Sequence, residues 1–382
     1  MKKVKKIIVL SLVMFLYMST VAFTNPKVSS GDSHKIENKT TYTDHHIHIM
    51  SEEYSKFHKK ILGSDKYFGT PIKEVSGESI ISLLDEANIN RAFVLSNSYI
   101  LGMKGAEGTD EYEDVKKENN YVAIEVSKYP DRLIGFFSVN PLKDYAIKEV
   151  DRCYDVLKLS GLKLHFTNSD VDLNKPEHLK KIKKLFSHCA ERDIPILLHY
   201  KSRSPEYGKK DAEILINDII SKTPNLKLQI AHLGGWGGFD KSTKEVFSTF
   251  IKKYNSNSNL KKNNIFFDLS GIVVTDREYM PEALEITSEK DHKEIVEMLR
   301  AWGLDNVVFG SDYQYQTTKG YLEYLEKYLP LTEEEIENIL DNDLTKVFFE
   351  KDNGEIRHPD FEKLNKLLKE GIDYNAPFSA EY

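Results

Sequence analysis

Short β-rich runs alternate with longer amphipathic runs along most of this 382-residue chain. Each β-rich run is followed by a polar or glycine-containing loop and then by apolar residues spaced three and four positions apart, the period of a helix. Predicted strands cover residues 43–49, 91–96, 133–139, 161–166, 194–200, 226–232, 265–270 and 307–311. Predicted helices include residues 79–87, 145–159, 179–192 and 294–302, and terminal helices follow within 331–349.

Eight consecutive strand–helix units predict an α/β fold, a (β/α)8 TIM barrel with a short C-terminal helical extension. An open, doubly wound parallel sheet is the structural alternative. The barrel is favoured because it explains why polar, metal-binding types of side chain follow several strands that are far apart in sequence.

These polar side chains stand at the carboxyl ends of predicted strands, which meet at one mouth of a barrel. His46 and His48 lie two residues apart on the first strand, so both point to the same face and can bind one ion. Later strands contribute Lys163, His165, His199, His232 and Asp312. A lone histidine of this kind is more often a hydrogen-bonded structural residue, but the ordered set favours a site.

The fourth strand carries two of these residues side by side. Leu162, Leu164 and Phe166 are predicted to face the helices, which turns Lys163 and His165 into the barrel. A lysine inside a barrel is costly unless it is neutralised or paired, so Lys163 needs a partner.

The ordered set resembles the amidohydrolase superfamily, in its amidohydrolase-related branch of metal-dependent hydrolases and decarboxylases. The resemblance covers about residues 43 to 349. The matching segments are Thr43-Asp44-His45-His46-Ile47-His48, Gly161-Leu162-Lys163-Leu164-His165, Ile194-Pro195-Ile196-Leu197-Leu198-His199, Leu228-Gln229-Ile230-Ala231-His232-Leu233-Gly234-Gly235 and Val308-Phe309-Gly310-Ser311-Asp312-Tyr313. Two departures are the absence of proline two residues after Asp312 and a loose asparagine motif at residues 341–344.

The resemblance implies a divalent metal, with zinc preferred. Its ligands would be His46, His48, His199 and Asp312, a nitrogen and oxygen set that suits zinc. Asp312 would also act as general base on a metal-bound water, and His232 would polarise the substrate carbonyl or orient the water.

One ion is favoured and two are left open. In two-metal relatives the strand-four lysine is carboxylated and bridges the ions, so Lys163 is a further candidate ligand; alternatively it anchors a substrate carboxylate or forms a buried ion pair. His165 and Arg203 are candidate substrate-binding residues, although a surface position is the default for Arg203. Asp44 either supports the ligands or makes a structural hydrogen bond. The Gly234-Gly235-Trp236-Gly237-Gly238 segment is either a mobile lid or a tight turn.

The N-terminus resembles an export signal. Four lysines precede an apolar run over residues 7–23, and Thr20-Val21-Ala22 offers small residues for cleavage. We therefore predict a signal peptide or uncleaved anchor at 1–24, a flexible linker at 25–42, the barrel at 43–350 and a tail at 351–382. The protein is expected to be secreted or held in the cell envelope, and to meet a membrane only through this segment.

Composition narrows the partners and the redox chemistry. The net charge of −7, with acidic and basic residues interleaved, argues against nucleic-acid binding. Cys153 and Cys189 are the only cysteines, and a disulfide between them is left open because export would permit it. A homo-oligomer is also left open.

The leading hypothesis is an exported metal-dependent hydrolase acting on an amide, ester or lactone of a small molecule. The alternative is a metal-dependent non-oxidative decarboxylase of a small carboxylic acid, since the same branch supports both reactions. A third hypothesis, from another class, is an inactive barrel that serves as a cell-envelope binding protein. The presence of both His232 and Asp312 disfavours it, because a degenerate site has no chemical need for both.

Overall fold

The computed structural model describes residues 41–67, 70–106, 110–202, 204, 206–256, 260–275, 285–349 and 356–369. The predicted signal segment, the linker up to residue 40 and most of the predicted tail lie outside these ranges. Within the ranges, every helix is too short or too polar to span a bilayer.

Eight parallel strands form the predicted barrel. They are β1 Thr43–His48, β2 Arg91–Leu95, β3 Leu133–Ser138, β4 Gly161–His165, β5 Ile196–His199, β6 Lys227–Ile230, β7 Asn264–Asp268 and β8 Val307–Val308. Each strand pairs with the next in chain order. The backbone N–H groups of His45, His48 and Asp312 bond to carbonyls of Phe309, Tyr313 and His46 at 2.8–3.0 Å, so the ring closes between β1 and the segment that contains and follows β8.

The helices surround this ring. They are α1 Glu52–Leu62, α2 Gly77–Ala87, α3 Glu111–Ser127, α4 Ala146–Asp151, α5 Pro176–Glu191, α6 Lys209–Ile214, α7 Lys241–Ser256, α8 Glu289–Trp302, α9 Thr318–Tyr328, α10 Glu333–Asp341, α11 Leu344–Phe348 and α12 Phe361–Lys369. The short antiparallel pair Lys66–Tyr67 and Thr70–Pro71 lies between α1 and α2.

The predicted helix over 145–159 is not regular throughout. After α4 the chain continues as a π-helical turn over Arg152–Val156, in which the Leu157 N–H reaches the Arg152 carbonyl at 3.2 Å. The spacing of apolar residues in the sequence does not by itself distinguish this wider turn from an α-helix. Cys153 and Cys189 are both buried and free, so the disulfide left open by the sequence is not formed.

Two apolar layers explain where a site can form. Leu162, Leu164 and Phe166 pack outward with the helices, as predicted from strand alternation. A second cluster, inside the barrel, is built around Phe93 and Phe136 and is joined there by Phe348 of α11 and other apolar side chains. Because these side chains fill the barrel, the polar residues collect above them at the carboxyl ends of the strands.

Candidate functional site

A cavity of about 400 Å³ lies among the residues that end the strands. Its lining includes six residues singled out from the sequence: His46, His48, Lys163, His165, His199 and Asp312. The rest of the lining is mostly apolar and aromatic. It comes from α1 and from the loops that follow β1, β2, β4, β6 and β8: Met50, His58, Ile61, Leu62, Asn97, Tyr99, Ile100, Met103, Asn168, Trp236, Gln314 and Tyr315.

Asp312 lies at the centre of the histidine cluster. Its Oδ1 is 3.3 Å from His46 Nε2 and 3.5 Å from His48 Nε2, and its Oδ2 is 3.9 Å from His232 Nε2. One ligand atom each from His46, His232 and Asp312 lies within 4.8 Å of the others. The fold therefore brings together residues from β1 and from the segments that follow β6 and β8.

Unusual backbone conformations place two of these side chains. Asp312 has φ of +57°, and His232 and Leu233 have φ of +55° and +52°. The left-handed conformation costs an L-residue roughly 1–2 kcal/mol, so the surrounding barrel must hold these residues in place. Gly310 is required nearby, because a Cβ at this position would lie 2.8 Å from the Cβ of His46.

Asp268, at the end of β7, is a residue that the sequence analysis did not single out. Its Oδ2 accepts from His46 Nδ1 at 3.0 Å and from Gln229 Nε2 at 2.8 Å. Its Oδ1 accepts from the backbone N–H of His232 at 3.0 Å. Burial alone would raise the pKa of Asp268, but the neighbouring His46 and His232 and the bond from Ser270 lower it well below its usual range.

A signal for Asp268 was present in the sequence. It follows the apolar run Ile265-Phe266-Phe267 and, like His199, ends a buried strand with a polar side chain.

The hydrogen bonds determine which nitrogen of His46 and His232 carries the proton. His46 Nδ1 faces the Asp268 carboxylate, and His232 Nδ1 faces the Ser270 carbonyl at 2.7 Å. Both acceptors require a proton on Nδ1, so the neutral rings present the lone pair of Nε2 to the site. His232 could then bind a metal or accept a proton, and would polarise a carbonyl only when protonated.

Lys163 is fully buried and contacts the same cluster. Its Nζ lies 3.1 Å from His46 Nε2, to which it can donate. Burial lowers the pKa of Lys163 to about 8, although Asp312 and Asp268 oppose this shift. The ammonium is therefore held beside the proposed ligands at some electrostatic expense.

Part of the cluster fits a divalent metal ion: among the described residues, His46, His232 and Asp312 lie within 4.8 Å of one another, whereas the predicted ligands His48 and His199 fall outside this group. Ligand atoms about 2.1 Å from one ion are about 3.4 Å apart in a tetrahedron, which agrees with the 3.3 and 3.5 Å from Asp312 to His46 and His48. The buried Nε2 of His199 has no hydrogen-bond partner among the described residues, as expected for a nitrogen reserved for a ligand. Lys163 competes for His46 Nε2 and would have to release it.

The remaining predicted residues have different surroundings. The His165 ring stacks on that of His199 at 3.8 Å, and His165 Nδ1 accepts from the backbone N–H of Asn168 at 3.2 Å. Arg203 lies outside the described residues. Trp236, in the glycine-rich segment, lines the cavity and is partly exposed.

Asp44 supports the backbone of two predicted metal ligands. Its Oδ1 accepts from the backbone N–H groups of His46 and Ser311, and its Oδ2 accepts from Thr318 Oγ1, each at 3.0 Å. Both earlier interpretations of Asp44 therefore apply, since its structural hydrogen bonds hold the segments that carry His46 and Asp312.

Comparison with known proteins agrees with this geometry. The family model described as amidohydrolase matches residues 44–342. No curated protein matches the chain in sequence.

Several solved structures are similar in fold. The 5-carboxyvanillate decarboxylase of Sphingomonas paucimobilis is 14% identical with a TM-score of 0.56, covering 81% of this chain and 99% of that one. A structure named amidohydrolase II is 18% identical with a TM-score of 0.55, covering 79% and 98%. The dihydroxybenzoic acid decarboxylase of a Polaromonas species, with bound manganese, is 15% identical with a TM-score of 0.53, covering 82% and 98%. At such identities the likeness establishes the fold.

Proposed function

Because the chain belongs to the amidohydrolase family, whose model matches residues 44–342, we propose that it is a metal-dependent enzyme that removes carbon dioxide from a small carboxylic acid without oxidation. This was the alternative in the sequence analysis, and hydrolysis of an amide, ester or lactone is now the second candidate. Two of the similar structures described above are decarboxylases, and one of them contains manganese, which supports this order.

Lys163 is the observation that carries the proposal. Among the cavity-lining residues that the structure describes, it is the only lysine or arginine, and it is buried beside the histidine cluster. A carboxylate substrate would bring a further negative charge to this ammonium, whose burial Asp312 and Asp268 only partly offset, whereas a neutral amide or ester would not. A cavity of about 400 Å³ with apolar and aromatic walls suits a small ring or enoic acid.

Each residue then has a defined task. His46, His48, His199 and Asp312 would hold the divalent ion, which supplies Lewis acidity when bound. The bond between the carboxyl carbon and its neighbour breaks, carbon dioxide leaves, and the remaining carbon takes up one proton. Asp312 and His232, which lie 3.9 Å apart, would store that proton and deliver it.

Hydrolysis remains the second candidate because Asp312 and His232 could also serve that reaction. The side chain of Asp312 is 22% exposed, so water can reach the carboxylate, and His232 presents a lone pair beside it. A general base at this position could deprotonate an attacking water. This geometry does not favour the inactive-barrel hypothesis, because an inactive protein would have no need for a cluster of residues able to bind an ion.

A paired assay separates the two reactions. Protein loaded with zinc or manganese would be tested for carbon dioxide release from monocyclic aromatic and enoic acids, and for hydrolysis of lactones, esters and amides. We expect carbon dioxide release, and a loss of about 10³-fold or more in Asp312→Asn and His48→Ala. Asp144→Asn, at a fully exposed carboxylate, is the control and should leave turnover unchanged.

The alternative results are equally definite. Hydrolysis without carbon dioxide release would replace the proposal with the second candidate. Unchanged turnover in both Asp312→Asn and His48→Ala would defeat the catalytic assignment of this cluster.

We further propose zinc as the ion and export as the destination of the protein. The nitrogen and oxygen ligand set supports zinc, and the lysine-rich, apolar N-terminus supports export. Metal analysis of purified protein tests the first. Cell fractionation with N-terminal sequencing tests the second, and full-length protein confined to the cytoplasm would contradict it.

A further inference from the structure

Gln314 lines the cavity with an amide group whose nitrogen has no hydrogen-bond partner. The residue is 6% exposed, and its Nε2 is buried without an acceptor among the described residues. The other two side-chain amides of the cavity wall are engaged. Asn97 donates to the Ile49 carbonyl at 3.3 Å, and Asn168 Nδ2 lies 3.5 Å from a ring nitrogen of His165. Because a buried N–H2 group left unpaired is costly, the Gln314 amide favours a ligand that offers an acceptor.

The position of Gln314 is one at which the sequence departs from the family pattern. It stands two residues after Asp312, where the resemblance predicts proline. A proline side chain has neither a donor nor an acceptor. The amide is therefore a feature of this chain that the shared fold does not require.

The backbone on both sides of Gln314 is fixed by hydrogen bonds. The carbonyl of Tyr313 accepts from the His48 N–H at 3.0 Å, and the Tyr315 N–H donates to the Asp312 carbonyl at 2.8 Å. These bonds determine where the Gln314 side chain enters the cavity wall. The last torsion of a glutamine side chain is broad, so the amide can turn its N–H2 group toward a ligand while the backbone stays in place.

Gln314 and Lys163 offer different kinds of polar group to one ligand. Lys163 is the only lysine or arginine among the described residues of the cavity wall, whereas the Gln314 amide carries no charge. A carboxylate placed against the amide would lose its hydration without gaining a counter-charge. A neutral oxygen would accept a hydrogen bond from the amide at a much lower desolvation cost. The cavity therefore suits an acid with one carboxylate and one neutral oxygen substituent.

We propose that Gln314 is a specificity-determining residue, whose amide N–H2 group donates to a neutral oxygen substituent of the substrate while the substrate carboxylate lies beside Lys163. The inference rests on the proposed decarboxylation for the presence of that carboxylate. It narrows the substrate to monocarboxylic acids that carry a hydroxyl, ether or carbonyl oxygen, and it disfavours dicarboxylic acids.

Pairs of ligands that differ in one group test the amide. Calorimetry with zinc-loaded protein would compare 3- and 4-hydroxybenzoate with 3- and 4-methylbenzoate, because a methyl group is similar in size to a hydroxyl but accepts no hydrogen bond. At these positions the hydroxyl is too far from the carboxylate for both to bind one ion. We expect the corresponding benzenedicarboxylates to bind the native protein more weakly than the hydroxybenzoates.

Gln314→Met removes the amide and keeps an unbranched side chain of similar length. We expect the ratio of hydroxybenzoate to methylbenzoate affinity to fall about threefold to tenfold in this variant, at one or both ring positions. Methylbenzoate should bind as it does to the native protein, which also shows that the variant is folded. Gln316→Met is the matched control, because Gln316 lies in the same segment but does not line the cavity. Its affinity ratio should not change.

Three results would overturn the proposal. The first is an unchanged affinity ratio at both ring positions in Gln314→Met. The second is an equal weakening of all the ligands in that variant, which a purely structural role would produce. The third is a benzenedicarboxylate that binds the native protein more tightly than both hydroxybenzoates.

The specificity of the site and its reaction fail in different ways. If the affinity ratio depends on Gln314 but no acid loses carbon dioxide, the specificity assignment stands and the decarboxylation is wrong. If acids lose carbon dioxide and Gln314→Met leaves the affinity ratio unchanged, the specificity assignment is wrong and the reaction stands.

Discussion

At the scale of single residues, both ring nitrogens of His46 have close side-chain contacts. Asp268 accepts from its Nδ1 at 3.0 Å, and Lys163 and Asp312 lie 3.1 and 3.3 Å from its Nε2. A carboxylate behind a metal-binding histidine fixes the ring and makes the opposite nitrogen a better ligand. The position of Lys163 has the opposite effect, because a positive charge beside Nε2 repels an approaching cation.

Replacing Lys163 should therefore strengthen metal binding. We expect Lys163→Met to bind one zinc ion about tenfold more tightly or better, equivalent to at least about 1.4 kcal/mol, and to bind benzoate more weakly. Competition with a chelator and metal analysis measure this. Lys241→Met, at a lysine 90% exposed, is the control. Loss of an ion in Lys163→Met would instead support the bridging role and the two-ion alternative.

At the scale of elements, the attachment of α1 to α3 shapes one wall of the cavity. Ser51 caps α1 by accepting from the Tyr54 N–H at 3.0 Å, and the buried carboxylate of Glu118 on α3 accepts from both the backbone N–H and the hydroxyl of Ser51. α1 contributes Ile61 and other lining residues to the cavity. Glu118 thus joins a helix cap to the wall of the site.

The ionisation of Glu118 should make this attachment pH-dependent. Burial raises the pKa of Glu118 to about 7 from an ordinary value of 4.5. Between about pH 4.5 and 7 the folded state therefore retains a proton that the unfolded state has lost. The free energy of unfolding falls as pH rises through this range.

Glu118→Gln mimics the protonated form and tests this effect. We expect the variant to be more stable than the native protein at pH 8 by about 1–3 kcal/mol, with little difference near pH 4.5. Urea unfolding at both pH values measures it. Glu326→Gln, at an exposed glutamate on α9, should show no such pH dependence. A Glu118→Gln protein less stable than the native one at pH 8 would contradict the argument.

At the scale of the whole molecule, closure of the barrel and assembly of the site depend on the same contacts. Asp44 on β1 accepts from Ser311 N–H beyond β8 and from Thr318 Oγ1 at the start of α9, as well as from His46 N–H. These bonds join the first and last strands of the ring, and each of those strands leads to a predicted metal ligand.

Removing the Asp44 carboxylate should weaken both the fold and the site. Asp44→Ala leaves two buried backbone N–H groups without an acceptor, so we expect a loss of about 2–4 kcal/mol in the free energy of unfolding. Asp44→Asn retains one acceptor oxygen and should lose less. Denaturant unfolding of the metal-free proteins measures the effect, with Asp144→Ala as the exposed control. Native-like stability of Asp44→Ala would show that these bonds do not hold the ring together.

Much of this architecture was predictable from the sequence because the signals are local. A strand alternates its faces every second residue, which was enough to turn Lys163 and His165 inward. The prediction of terminal helices within residues 331–349 is confirmed for a similar reason, since Thr332 and Glu335 cap α10 across one turn of chain. The order of polar strand ends then predicted one site, because the carboxyl ends of barrel strands share a mouth.

The chemistry of individual side chains was decided only by the tertiary structure. Asp268 orients His46 although the two residues are 222 positions apart, and the local spacing of residues in the sequence does not predict such a contact. The proton position of His232 depends on the Ser270 carbonyl that meets its Nδ1, which follows from loop conformation. Sequence periodicity places residues on a face, whereas hydrogen-bond direction depends on atoms that meet only after the chain has folded.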